Sequence, residues 1–168
     1  MDTIGKAERS RVMSRIRGRN TGPEMAVRRA LFDAGLRYRL HRRDLPGSPD
    51  IVMAGRRIAI FVHGCFWHRH RGCSYATQPK TNAAFWKSKL RRNQERDQSA
   101  VKQLRDNGWR VLTVWECSIK RRVSEETLQE RLVDWVNGGL CVGDIAGVSG
   151  GDITKQRGSK TRSRSIAS

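Results

Sequence analysis

The chain has 168 residues, enough for one domain that buries its own core without covalent help. Its 34 Lys and Arg against 16 Asp and Glu give a formal charge of +18, a field that selects polyanions as partners, nucleic acid first and a membrane surface second. No apolar run of roughly twenty residues exists and "MDTIGKAERSRVM" lacks an apolar signal core, so neither a membrane span nor export is expected.

Residues 1–20 read as a basic N-terminal arm, partly helical around "KAERSRVMSRIRG". "TGPEMAVRRALFDAGL" follows with the grammar of a helix. Thr21 can cap it, Pro23 suits its first turn, and Glu24 sits where the helix dipole favours an acid. Val27, Ala30, Leu31 and Ala34 form its apolar face and Gly35 ends it. "DIVM" and "RIAIFVH", rich in β-branched residues, predict two strands joined by a tight turn at Ala54-Gly55-Arg56. A long helix is expected from Asn82 to Asn107, with Leu90, Ala100, Val101 and Leu104 inward, Lys87, Lys89, Arg91, Arg92 and Arg96 outward, and Gly108 at its end. "WRVLTVWEC" predicts a third strand, apolar enough to be covered on both faces. Ser124 would cap a last helix whose Leu128, Leu132, Trp135 and Val136 repeat at helical spacing, which makes Trp135 a core residue. Beyond Gly138 the chain turns Gly-rich and then basic, and residues 139–168 are expected to be a disordered tail. The folded part is therefore residues 21–138, an α/β domain with a mixed central sheet flanked by helices.

The densest chemistry lies in "FVHGCFWHRHRGC", residues 61–73. Four cysteines in a chain without an export signal argue for reduced thiols or metal rather than disulfides. Cys65, His70 and Cys73 form C-x4-H-x2-C, three corners of a tetrahedral zinc site. Cys117, at the end of the third strand, is the natural fourth ligand, and Cys141 in the Gly-rich segment the weaker one. With every corner taken by protein, such a zinc is structural. Asp50 enters an apolar strand directly after Pro49, an expensive place for an acid unless it is paired or binds a cation. A hard divalent ion on Asp50, with Glu24 nearby, would suit phosphodiester hydrolysis. His63 and His68 remain free to move protons. Phe66 and Trp67 are expected to project from the pinned loop, and Phe85 and Trp86 open the basic helix; such rings can stack on bases or wedge between base pairs.

These residues resemble a known family, the very-short-patch repair (Vsr-type) DNA mismatch endonucleases. The likeness runs from about Lys6 to Gly138 through "LPGSPD", "FVHGCFWHRH", "FW", "NQERD" and "GWRVLTVWEC", and "HGCFWH" followed by a distant "WEC" is its most specific part. The resemblance implies a restriction-endonuclease-like fold, related to the PD-(D/E)xK nucleases, and nicking of one strand beside the T of a T·G mismatch. Such mismatches arise when 5-methylcytosine deaminates at sites made by a partner cytosine-5 methyltransferase. It implies Mg2+ held by Asp50 and the Val62 carbonyl, catalytic histidines at His63 and His68, and a helix acid at Glu24. It further implies structural Zn2+ on Cys65, His70, Cys73 and Cys117, and intercalating rings at Phe66, Trp67 and Trp86. A monomer in the bacterial cytoplasm, associated with the nucleoid, is expected. Two departures stand out: Val62 replaces a Thr that many members carry, and the loop between His70 and Cys73 is one residue longer.

Overall fold

A computed structural model describes residues 19–120 and 127–147. Most of the basic arm, Ser124 and the tail from residue 148 lie outside these described residues.

Helix α1 spans Gly22–Asp33, and the Thr21 hydroxyl accepts the Glu24 N–H at 3.3 Å to cap it. Two short strands follow, β1 at Arg39–Leu40 and β2 at Ile51–Met53. A 3-10 turn, Ala54–Arg56, with Arg57 in the left-handed region leads into β3, Ile58–His63. Helix α2 covers Ala83–Asp106 and ends on Gly108, whose positive φ lets its N–H reach the Arg105 carbonyl at 2.8 Å. Strand β4 is Arg110–Trp115, the one-turn helix α3 is Cys117–Lys120, α4 is Leu128–Asn137 and β5 is Val142–Ile145.

The five strands lie in sequence order. β1, β2 and β3 pair antiparallel, whereas β3–β4 and β4–β5 are parallel. The sheet is thus mixed, as the alternation of hairpin and helix crossover dictates. Alternation along each strand then decides what faces what. Ile58, Ile60, Leu112 and Val114 point to one face and close a core with Val27 and Leu31 of α1 and Leu132, Trp135 and Val136 of α4. Ala59, Phe61 and Val111 point to the other, against Ala100 and Leu104 of α2. Carried to the end of β3, the same alternation aims His63 to the α2 side. Function follows from that parity.

Two sequence expectations require correction. The last helix is capped by Thr127, not Ser124: the Thr127 hydroxyl accepts from Glu130 N–H at 3.2 Å while Glu130 Oε2 accepts the Thr127 N–H at 2.6 Å, a reciprocal pair that fixes the first turn. The domain also does not stop at residue 138. β5 pairs with β4 from Val111↔Val142 to Val114↔Ile145, and Ile145 is buried in the core. Gly143 is a glycine for space: a Cβ there would lie 2.0 Å from the Trp135 indole nitrogen. A Gly-rich run that reads as loop is in fact shaped to admit a tryptophan.

Candidate active site

The parallel pair β3–β4 ends with both C-terminal tips at one edge, and the sequence spends its chemistry there: Val62-His63-Gly64-Cys65 after one strand, Trp115-Glu116-Cys117 after the other. Ligand sites form at such edges because the loops leaving adjacent parallel strands converge. Glu116 N–H donates to the His63 carbonyl at 2.9 Å, so the two tips are tied directly.

Asp50 reaches the same edge from the β2 side. The preceding turn is packed tightly: Gly47 adopts a φ of +73°, and a Cβ there would sit 2.6 Å from Ala100 Cβ on α2. Substituting it, as in Gly47→Ala, is expected to lower the melting temperature and loosen Asp50; an unchanged melt and unchanged activity would remove this turn from the argument. The Asp50 carboxylate accepts the Val62 N–H at 2.8 Å across the hairpin. Burial pushes the Asp50 carboxyl above its usual range; the Val62 N–H, and the nearby His41 and His68, pull against that rise, while Glu24 adds to it. Glu24, His41 and Asp50 bring ligand atoms within 4.8 Å of one another, a group able to hold a cation.

His63 and His68 stack face to face, centroids 3.7 Å apart and planes 6° apart. Burial, and secondarily His68, lowers His63 to about 3, so it stays neutral near neutral pH. His68 Nδ1 lies 2.6 Å from Asp97 Oδ2. The carboxylate can only accept, so the proton sits on Nδ1 and Nε2 keeps its lone pair. His63, His68 and Asp97 bring ligand atoms within 4.8 Å of one another, so this group too could hold a cation as well as move a proton. An open trough of ≈ 860 Å³ borders the pair, lined among others by Arg69, Arg71, Lys102 and Trp115.

Cys65, His70, Cys73 and Cys117 form a second cluster able to hold a metal, three of the four buried. His70 Nδ1 is 3.6 Å from Cys65 Sγ and 3.4 Å from Cys117 Sγ. Burial raises the Cys65 and Cys117 thiols and lowers His70. Cys117 Sγ also accepts the Gly147 N–H at 3.3 Å, and the His70 ring stacks on Trp115 at 4.2 Å. Cys141 is exposed and stands outside the cluster. The loop between Cys65 and Cys73 is tightened by His68 N–H to Gly64 C=O at 3.1 Å and His70 N–H to Cys65 C=O at 3.0 Å. Asn93 on α2 donates to the Trp67 carbonyl at 3.0 Å and anchors its tip.

Phe66, Trp67 and Trp86 meet as one aromatic group, centroids 5.1 to 5.9 Å apart, all half-buried. Phe85 stands out at 59% exposed, and Lys89 Nζ lies 5.5 to 5.8 Å above the Trp67, Trp86 and Phe85 rings. The site residues expected from sequence thus fall in four groups: Asp50 with Glu24, His63 with His68, the cysteine cluster, and the rings. Sequence reasoning missed Asp97, His41 and Arg28. Asp97 had a signal: Leu90, Asn93, Asp97, Ala100 and Leu104 share one helical stripe, and the two polar members interrupt an otherwise inward-facing row. His41 and Arg28 sit among other basic residues and carried none.

With this geometry in place, comparison with known proteins is decisive. The profile of the family described as DNA mismatch endonuclease Vsr matches residues 1–74. A type II nicking enzyme of Xanthomonas oryzae pv. oryzae, V.XorIIP, is 43% identical over 133 residues, 79% of this chain and 97% of that protein. The DNA mismatch endonuclease Vsr of Escherichia coli is 42% identical over 139 residues, 82% of this chain and 88% of that protein. The type II nicking enzyme V.NmeAIP of Neisseria meningitidis is 39% identical over 132 residues, 79% and 94%. The chain belongs to the Vsr family of DNA mismatch endonucleases.

Proposed function

We propose that the protein nicks one strand of duplex DNA beside the T of a T·G mismatch, the product of 5-methylcytosine deamination, and so works downstream of a cytosine-5 methyltransferase. It acts as a monomer on a restriction-endonuclease-like scaffold. The observation that carries this reading is the stacked His63–His68 pair near a half-buried carboxylate tied to the Val62 N–H, with His68 on a loop whose Phe66 and Trp67 meet Trp86 of α2.

The donor set around Asp50 fits Mg2+: a half-buried carboxylate of raised basicity beside the end of β3, where the Val62 carbonyl would be a second hard ligand. When bound, magnesium supplies Lewis acidity at the phosphate and shields the leaving oxygen. The chain's own residues do the rest. Asp97 holds the Nδ1 proton of His68, so Nε2 of His68 takes a proton from the attacking water. His63, held neutral by burial, assists by donating an N–H rather than by charge. The Cys65–His70–Cys73–Cys117 group fits Zn2+: bond lengths of about 2.3 and 2.1 Å at tetrahedral angles separate sulfur from nitrogen by about 3.6 Å, close to the observed 3.4 and 3.6 Å. Its role is to fix the loop that carries both His68 and the rings.

The deciding experiment incubates the protein with magnesium and paired or T·G duplexes. Strand-specific nicking of the T·G duplex alone is expected; equal nicking of both would replace mismatch repair with an unselective nickase, and binding without nicking would leave a DNA-binding module. Removing a ring, as in Trp67→Ala, should cut the preference for T·G over T·A by roughly tenfold, since base–aromatic stacking is worth about 1–3 kcal/mol. An unchanged ratio would rule out the wedge. Replacing the relay partner, as in Asp97→Asn, should lower kcat by about 10² to 10⁴ with little change in KM. Asp97→Glu should recover part of it. A loss confined to KM would place Asp97 in substrate binding instead.

A further inference from the structure

Glu24 comes to the site with both oxygens already engaged. Oε2 accepts the Asn20 N–H at 2.7 Å, and Oε1 is gripped by Arg28 Nη2 one turn along α1. Arg28 is 8% exposed, an unusual depth for a guanidinium. Its Nη1 donates to Asn20 Oδ1 at 2.8 Å, its Nη2 lies 2.9 Å from His41 Nε2, and its Nε is buried with no partner among the described residues. A guanidinium only donates, so His41 Nε2 is the acceptor and the ring proton sits on Nδ1. The 3.2 Å approach of His41 Nε2 to Glu24 Oε1 is then two acceptors facing one shared donor, not an ion pair. His41 is held in this pose by its backbone, with a φ of +48° and its N–H on the Asp50 carbonyl at 3.0 Å.

The charge count has a consequence for Asp50. Glu24 and Arg28 cancel, so within the Glu24–His41–Asp50 group only Asp50 offers net negative charge, and a fixed guanidinium is bonded to both of the group's other members. A divalent ion arriving there meets one carboxylate and one repelling cation. We propose that Arg28 is a positioning residue that pins Glu24 and His41 and keeps the Asp50 site weak for divalent ions until the DNA phosphate brings the missing negative charge. Cation and substrate are then taken up together, so that metal binding is coupled to DNA binding in both directions. This rests on the reading of Asp50 as the carboxylate that holds the cation.

The probe is Mn2+, followed by electron paramagnetic resonance of the free ion, with full-length protein alone and with a pre-nicked T·G duplex that cannot be cut again. Wild type should bind Mn2+ about tenfold or more tighter with the duplex than without it. Arg28→Met, which keeps the aliphatic stem, should tighten binding without DNA about tenfold and shrink the effect of the duplex. Arg28→Lys should stay close to wild type. Should Arg28→Met leave Glu24 too poorly paired to fold, Arg28→Gln keeps uncharged donors and carries the same expectation. Equal Mn2+ binding by wild type with and without the duplex overturns the proposal, as does an uncharged variant whose DNA-free binding is no tighter. Asp50→Asn separates the two readings. If it leaves Mn2+ binding intact, the assignment of Asp50 fails; if it abolishes binding while Arg28→Met changes nothing, only the role of Arg28 fails.

Discussion

Asp50→Ala is expected to abolish nicking in magnesium while leaving mismatch binding, compared without divalent ions, within about twofold of wild type. A divalent Lewis acid at the phosphate is worth several kcal/mol, and each 1.36 kcal/mol is tenfold, so a loss on the order of 10³-fold or more follows when its carboxylate ligand is removed. Binding should survive because the rings and the basic face of α2 lie elsewhere, on the Cys65–Cys73 loop and at Phe85–Arg96. Gel-shift and nicking assays on the same preparation test both halves. Retained nicking would sink the assignment. The isosteric Asp50→Asn should also be more stable than wild type at neutral pH, since its amide oxygen can still accept the Val62 N–H. The sign follows from the raised folded-state carboxyl: ionising it costs stability at every pH above the folded value, and the cost vanishes once pH falls below the unfolded value of about 3.9. A denaturation midpoint that drops in Asp50→Asn at pH 7 would contradict this.

Cys117→Ala has the second large effect expected. It removes the one ligand of the cluster that lies outside the Cys65–Cys73 loop, at the start of α3 just after β4, and thereby releases that loop from the sheet. Atomic spectroscopy should find about one zinc per chain in wild type and none in the variant. The melting temperature should fall on the order of 10 °C. Zinc contributes more than that in peptides it folds outright, but this domain retains its own two-sided core. Sheet and helix content by circular dichroism should therefore persist below the melt while nicking disappears, because His68 and Trp67 both ride on the released loop. A variant that keeps both metal and nicking would refute the structural role of the cluster.

Much of this was legible in the chain. Periodicity placed α1, α2, β2, β3 and β4 to within a residue or two, because the helices show one apolar face and β3 and β4, covered on both faces, are apolar throughout. The cysteines at the ends of β3 and β4 were legible together, since adjacent parallel strands bring their ends side by side. Hidden were features that exist only by virtue of contact. β5 is carried by pairing with β4 and by the fit of Gly143 beneath Trp135, so its own composition reads as loop. Ser124 and Thr127 are equally good caps on paper; Glu130, three residues after Thr127, discriminates them. Asp97 is one acid among many charges until His68 is folded onto it, and Arg28 one base among many until α1 buries it.

Helix α2 carries Trp86 in its first turn, Asp97 about three turns later and Ala100 and Leu104 in the core beyond. On the proposed reading, one stiff rod therefore acts as a calliper, with one jaw at the lesion and the other at the group that orients the base. The interval between damaged pair and cut bond is then set by the pitch of a helix rather than by a flexible tether, and adding a residue to it would swing the jaws out of register as well as apart.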